Sequence, residues 1–271
     1  MAAVSARQGT SYPAFRRLAN ANERLFYGAI GFVAIALIWE GAANAGLFRK
    51  SLLSAPSSIW SAAVADFGSG AIWPHLTTSF TEFAIGFLAA LAIGVPLGLA
   101  IGMFERVDHF VSVLLYGIYS TPKAAIAPLI ILVFGIGLES KVILVFLLAF
   151  FSFVVSTMAG VHAATARHLD IARSFGASRW LEFRSVILPS TFPFILTGLR
   201  IGVGRALVGV VIAEELAANE GVGHYIEFYG TFLDTARVML GVVILGTFGL
   251  VLGEVVRRLE KRFEVWRPEV H

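Results

Sequence analysis

The chain contains no cysteine, so neither a disulfide framework nor a thiolate metal site can be built from it. No lysine follows a glycine anywhere, which excludes the phosphate-cradling loop of P-loop ATPases. No His-Glu-x-x-His pair is present for a zinc hydrolase, and no Gly-x-Ser-x-Gly elbow for a serine hydrolase. The histidines are scattered: His75, His109, His162, His168, His224 and His271. Charge is also scarce. Only 14% of residues are charged, against about a quarter in soluble domains. What takes its place is apolar: 57% of residues are hydrophobic, and the mean hydropathy is +0.80.

The apolar residues fall in blocks, not at scattered core positions. A bilayer span needs about 20 mostly apolar residues. Six segments qualify: 26–47, 77–103, 109–134, 142–163, 190–217 and 238–256. Backbone groups in hydrocarbon must be satisfied internally, so each reads as a helix and the chain as an all-α membrane protein. A β-barrel would show short alternating segments, whereas Val142 to Val161 is continuously apolar. No small-residue cleavage site follows the first span, which reads as a retained helix and not a cleaved signal.

Basic residues give an orientation. With the N-terminus in the cytoplasm, Arg7, Arg16, Arg17, Arg24, Arg106, Arg167, Arg173, Arg179, Arg184, Arg257, Arg258, Lys261, Arg262 and Arg267 all fall inside. Only Arg49, Lys50, Lys141 and Arg237 fall outside. This obeys the positive-inside rule and places both termini in the cytoplasm. It also explains the basic balance through the membrane surface, without nucleic acid.

The chain reads as one transmembrane domain, 26–260, between polar tails 1–25 and 261–271. Residues 48–76 form an outside stretch in which Ile59 to Phe67 can make a short helix starting near Ser57 or Ser58, broken at Gly68-Ser69-Gly70. Residues 135–141 read as a tight outside turn, and 218–237 as a second outside stretch. Gly86, Ala90, Gly94, Gly98 and Gly102 recur every four residues in the second span, and Gly198 and Gly202 repeat the device in the fifth. Such stripes let membrane helices approach closely, either within one subunit or between two. Pro96, Pro122 and Pro128 should bend their helices.

The loop 164–189 has more order than a connector needs. His168 to Phe175 can make about two helical turns, and Gly176 suits the left-handed residue that ends them. Ser178 can cap a second short helix, with Glu182 near its positive end. The result is a two-helix elbow ending at Pro189, where the fifth span begins. A plain alternative is an amphipathic segment lying in the head groups.

Asp170-Ile171-Ala172, then Gly176, then Val186-Ile187-Leu188-Pro189 resembles the cytoplasmic loop of permease subunits of binding-protein-dependent ABC importers. That family's pattern is Glu-Ala-Ala, three residues, Gly, nine residues, Ile-x-Leu-Pro. Asp170, Ile171 and Val186 depart in letter and keep the charge or apolar character. Ser79 to Phe87, Gly94 to Gly98, Thr121 to Leu129, Phe134 to Lys141, Gly198-Leu199-Arg200, Ala213-Glu214 and Gly221-Val222-Gly223 are similar to the nitrate, sulfonate and taurine group. One departure is Glu82, where that group often carries Arg. The resemblance implies the type I importer permease fold, with about six spans and cytoplasmic coupling helices between spans four and five. Asp170, Ile171, Ala172, Arg173, Gly176, Val186, Leu188 and Pro189 would then form the ATPase-coupling loop. It also implies a permease homodimer in a bacterial inner membrane, separate cytoplasmic ATPase subunits that bind ATP and magnesium, and an extracytoplasmic solute-binding protein. No cofactor is expected in this chain.

Charges within the spans each need a reason. Lys123, Arg200 and Arg205 can line a watery path that attracts anions, or pair with acidic groups and carbonyls to lock the bundle. Glu214 and Glu215 lie near the outer end of span five, while Glu40 and Glu254 read as near-interface residues. Lys123, Arg200, Arg205 and Glu214 are the candidate translocation path. The expected cargo is a small anion such as a sulfonate, taurine or nitrate. Two other readings stay open: an ion-coupled secondary transporter using Lys123, Glu214 or Glu215, and an ABC importer for a vitamin or pyrimidine precursor. The former would show an inverted repeat, and none is visible.

Overall fold

A computed structural model describes residues 14–45, 54–164 and 166–263. Arg7, Arg49, Lys50, Arg267 and most of the C-terminal tail lie outside the described residues. Among the described residues, eleven α-helices follow in order: α1 Ala14–Asn44, α2 Pro56–Ser69, α3 Ile72–Met103, α4 Glu105–Ser120, α5 Ala127–Phe134, α6 Leu138–Ala163, α7 Ala166–Ser174, α8 Arg179–Glu182, α9 Leu188–Ala217, α10 Val222–Thr231 and α11 Thr235–Phe263. There is no strand among the described residues.

Five stretches are long and apolar enough to cross a bilayer: Phe26–Asn44, Ile72–Met103, Leu138–Ala163, Arg179–Ala217 and Thr235–Arg262. The expected third span is not one helix. Its halves, Glu105–Ser120 and Lys123–Phe134, meet at 79°. Pro122 is the cause: it lacks an N–H, and it holds Thr121 extended at φ −69°, ψ 136°. Pro128, expected to bend a helix, instead sits in the first turn of α5, where no N–H is needed. Pro96 lies inside α3, which runs unbroken through it. α1 begins at Ala14, within the stretch expected as a tail.

α6 is the axis of the bundle, packed against α3 on one side and α9 on another. Phe83, Phe87 and Ala90 of α3 meet Val145, Ala149 and Phe153 of α6 and Val203, Ala206 and Val210 of α9. The small-residue stripe explains how close these helices come. A Cβ on Gly98 would stand 2.7 Å from the Val154 carbonyl oxygen, and one on Gly94 would stand 2.9 Å from Phe153 Cβ. Gly86 and Gly102 press on Val145 and Val161 in the same way, while Gly198 and Gly202 of α9 press on Ser156 and Phe153. Both stripes therefore pack within one subunit, where dispersion and not water exclusion holds membrane helices. By contrast, α1 keeps Phe32, Ile35 and Ile38 exposed, as a lipid-facing helix does.

Candidate functional site

The elbow forms as its residues require. α7 ends at Gly176, whose φ of +75° places it in the left-handed region. The Gly176 N–H donates to the Arg173 carbonyl at 2.9 Å, and the Ala177 N–H to the Ala172 carbonyl at 3.0 Å. This paired closure satisfies two of the last carbonyls of α7. Ser178 then caps α8, its hydroxyl accepting from the Leu181 N–H at 3.4 Å. Arg173 clamps the two short helices together, donating from Nε and Nη2 to Glu182 at 3.1 and 3.3 Å. The hydrogen bonds and charge of Glu182 raise the Arg173 guanidinium above its ordinary value. Asp170 lies 3.8 Å from the same guanidinium. Ile171, Phe175, Trp180 and Leu181 are exposed, so the knob is charged at its joint and apolar at its tip.

One expectation about the elbow needs correction. It does not end at Pro189. α8 runs into α9 through a single π turn, Phe183–Ile187, as one stretch from Arg179 to Ala217. Pro189 cannot donate to a preceding carbonyl, and the wide turn absorbs that loss, with the Leu188 N–H reaching back to the Phe183 carbonyl. Val186 lies in the π turn and Leu188 and Pro189 open α9, so the elbow and the fifth span are one rod.

A second site lies at the break between α4 and α5. A cavity of about 570 Å³ there is lined by Tyr119, Ser120, Thr121, Lys123, Gly204 and Arg205, among others. Lys123 is buried, and its Nζ donates to the carbonyls of Ile118 at 3.0 Å, Tyr119 at 2.8 Å and Thr121 at 3.5 Å. These carbonyls lie at the break made by Pro122, where that of Ile118 also accepts from the Thr121 N–H at 3.2 Å. Phe151 covers the ammonium at 4.6 Å from its ring centre. Arg205 stacks on Tyr119 at 4.8 Å and donates to its hydroxyl at 3.0 Å. No described carboxylate pairs with Arg205.

The other two path candidates lie elsewhere. Arg200 is ion-paired with Glu260 of α11 and its side chain is half exposed. Glu214 is fully buried at the end of the bundle far from the elbow, accepting from the Ser79 hydroxyl and the Gly223 N–H. Lys141, expected in an outside turn, is one turn into α6, buried and ion-paired with Glu82 at 2.6 Å. Arg237 is likewise engaged. It grips Asp66 of α2 through Nε at 2.9 Å and Nη2 at 3.1 Å, and Asp234 through Nη1 at 2.8 Å. The Tyr225 hydroxyl donates to the same Asp66 carboxylate at 2.5 Å. Burial pushes the Asp66 carboxyl up, but the bonds from Arg237 and Tyr225 outweigh it and hold it below its ordinary value. Burial and Asp66 together push the Tyr225 phenol well above its own. Residue reading missed Tyr119, the Glu82–Lys141 pair and the Asp66–Arg237 clasp. Only Ser79 and Glu82, three apart on one helix face, carried a signal.

The comparisons with known proteins agree with this architecture. Residues 94–265 match the family described as binding-protein-dependent transport system inner membrane component. The taurine transport system permease protein TauC of Escherichia coli is 33% identical over 248 residues, covering 89% of this chain and 90% of that protein. The formylaminopyrimidine transport permease protein ThiX of Halalkalibacterium halodurans is 31% identical over 238 residues, covering 88% and 94%. The fold is also that of a chain in the inward-facing MetNI methionine ABC transporter, with a TM-score of 0.56 at 17% identity over 71% of this chain and 94% of that one. A multi-pass helical bundle, an elbow between its fourth and fifth spans and these matches place the chain in the binding-protein-dependent transport system inner membrane component family, as the permease subunit of an ABC importer.

Proposed function

We propose that this permease passes a small anion, of the size and charge of a sulfonate, taurine or nitrate, through a path lined by Arg205. The observation that carries the reading is the cavity at the α4–α5 break. Lys123 spends its donors on backbone carbonyls there, whereas Arg205 has a phenol for a partner and no described carboxylate. A guanidinium in a low-dielectric wall attracts an anion and repels a second cation. Ser120 and Thr121 add hydroxyls at the same wall.

The remaining parts follow from the same reading. The elbow, α7 and α8 with the turn at Gly176, docks on a cytoplasmic ATPase subunit, which binds ATP and magnesium. Its exposed Ile171, Phe175 and Trp180 supply the apolar anchors and the Arg173–Glu182 clamp the rigidity. The elbow end of the bundle faces the bacterial cytoplasm, with both termini, because most of the arginines and lysines outside the spans lie at that end. Among the described residues, the outside cations Lys141 and Arg237 are paired with Glu82, Asp66 and Asp234. The outside end receives an extracytoplasmic solute-binding protein, and two copies of the permease enclose the path in the lipid membrane. No nucleic acid takes part.

The test is Arg205→Gln in the complex assembled with its ATPase and binding protein. Anion uptake should fall about tenfold or more, the loss of about 1.4 kcal/mol of attraction, while protein level and basal ATP hydrolysis hold. Arg205→Lys should recover part of the rate. Unchanged uptake in Arg205→Gln, or a binding protein that selects a cationic pyrimidine, would overturn the anion reading.

A further inference from the structure

At the end of the bundle away from the elbow, three ionisable side chains are enclosed between α3, α6 and α9. Glu82 and Glu214 have no solvent exposure, and the Lys141 side chain keeps 9%. Lys141 Nζ donates to Glu82 Oε1 at 2.6 Å. Glu214 Oε1 accepts from the Ser79 hydroxyl at 2.6 Å, and its Oε2 accepts from the Gly223 N–H at 2.6 Å. Ser79 Oγ itself accepts from the Val222 N–H at 2.8 Å, which commits its only proton to Glu214. Ser79, which binds Glu214, and Glu82 lie one turn apart on the same face of α3, and this sets the Glu214 and Glu82 carboxyls side by side. One oxygen remains: Glu82 Oε2 is buried and receives no hydrogen bond.

Charge counting decides the state of this cluster. Lys141 balances one carboxylate. A second ionised carboxylate would be a like charge beside the first, buried and without a cation of its own. Protonation costs far less than such a charge. The neighbouring titratable groups do not supply the missing donor. The His75 ring lies against the Gly221 backbone at 3.1 Å, Glu220 accepts from Thr78, His224 faces Glu227, Glu215 is exposed, and Arg205 is held at Tyr119.

We propose that Glu82 and Glu214 hold a single proton between them, so that Glu82, Glu214 and Lys141 form a neutral proton-binding site joining α3, α6 and α9. The proton lies between Glu214 and Glu82 Oε2. It removes the excess negative charge and gives the orphan oxygen its donor, with no other group changing its bonds. The site also supports the turn between α9 and α10. A Cβ on Gly223 would stand 2.9 Å from Glu214 Cβ, and one on Gly221 would strike the Glu214 carboxyl, so that carboxyl is the floor on which the turn rests. A cavity of about 540 Å³, lined by Glu82, Lys141 and Thr81 among others, gives the proton a route of exchange with the aqueous phase at that end. The inference is independent of which solute the permease carries.

Infrared spectroscopy of the complex reconstituted in lipid tests it. The wild type should show the carbonyl stretch of a protonated carboxylic acid that shifts in heavy water. Glu214→Gln, whose amide can donate to Glu82 Oε2 in place of the acid, should lose that band; its NH2 cannot accept as the lost carboxyl oxygen did, so one of the Ser79 and Gly223 donors goes unpaired and the thermal midpoint falls, by less than in Glu214→Ala. Glu82→Gln should lose the band too, so failure of either variant to assemble leaves the other as the test. Glu214→Ala should lower the midpoint, because the turn loses its floor. A wild type without the band, or a band that survives in the glutamine variants, overturns the shared proton.

Discussion

Gly176 shows what one residue contributes to this protein. No neighbour lies within 4 Å of the place a Cβ would occupy, so the position demands glycine for its φ of +75° alone. A β-branched residue there costs about 1–2 kcal/mol, small against the whole bundle but about tenfold in the population of the closed elbow. Gly176→Val should therefore insert normally and lose most solute-stimulated ATP hydrolysis and uptake. Gly176→Asn, whose side chain tolerates the left-handed region, should keep most of both. If the valine variant retains full stimulated hydrolysis, the elbow is not the coupling element and its exposed Trp180 and Phe175 belong in the head groups. The same scale separates the two cations of the α4–α5 cavity. Lys123 and Arg205 look equivalent in sequence, and the backbone carbonyls at the break, which Lys123 binds and Arg205 does not, tell them apart.

Among the elements, the clasp of α2, α10 and α11 has the clearest pH signature. Asp66 is held below its ordinary value in the folded chain, so it adds stability above the unfolded carboxylate value. That contribution is lost as pH falls through the lower folded value. Asp66→Asn should cost about 2–3 kcal/mol at neutral pH, from charge-assisted bonds to Arg237. The gap in thermal midpoint between variant and wild type should narrow as pH falls below about 4, and a gap that stays constant in acid would contradict the assignment. This element was only half legible. The turn signals near Ser57 and at Gly68-Ser69-Gly70 foretold a short helix, seen as Pro56–Ser69, which runs through Gly68 and stops at Gly70, left-handed at φ +84°. Its partner was hidden, because Asp66 and Arg237 are 171 residues apart and no local pattern joins them. Long apolar runs, the glycine stripes and the elbow are written at short range and were readable. The 79° break was foreshadowed by Pro122, but hydropathy alone merged its halves into one span.

At the scale of the whole molecule, the question is where the energy for transport enters. An ion-coupled transporter needs a group that changes charge state while facing each side of the membrane in turn. The buried candidates do not offer that freedom. Lys123 is fixed on carbonyls, and Glu214 is fixed on Ser79 and Gly223 at one end of the bundle, over a helix end and a glycine turn. The α8–α9 rod, in contrast, runs from an exposed charged knob through the bundle core without a break. If the elbow is the proposed docking element, a push at the knob would be carried along this rod to Val203, Ala206 and Val210, which pack in one cluster with Val145, Ala149 and Phe153 of α6, and to Arg205 beside them. In the proposed function the lever is driven by a separate ATPase subunit, in keeping with a sequence that has no glycine–lysine pair to form a P-loop. Purified alone, the chain should hydrolyse no ATP. In proteoliposomes with its partner ATPase and binding protein, uptake should require ATP inside and persist when ionophores collapse proton and sodium gradients. Uptake by this chain alone, driven by an ion gradient without nucleotide, would instead give the transport step to a titrating group and leave the elbow without a mechanical role.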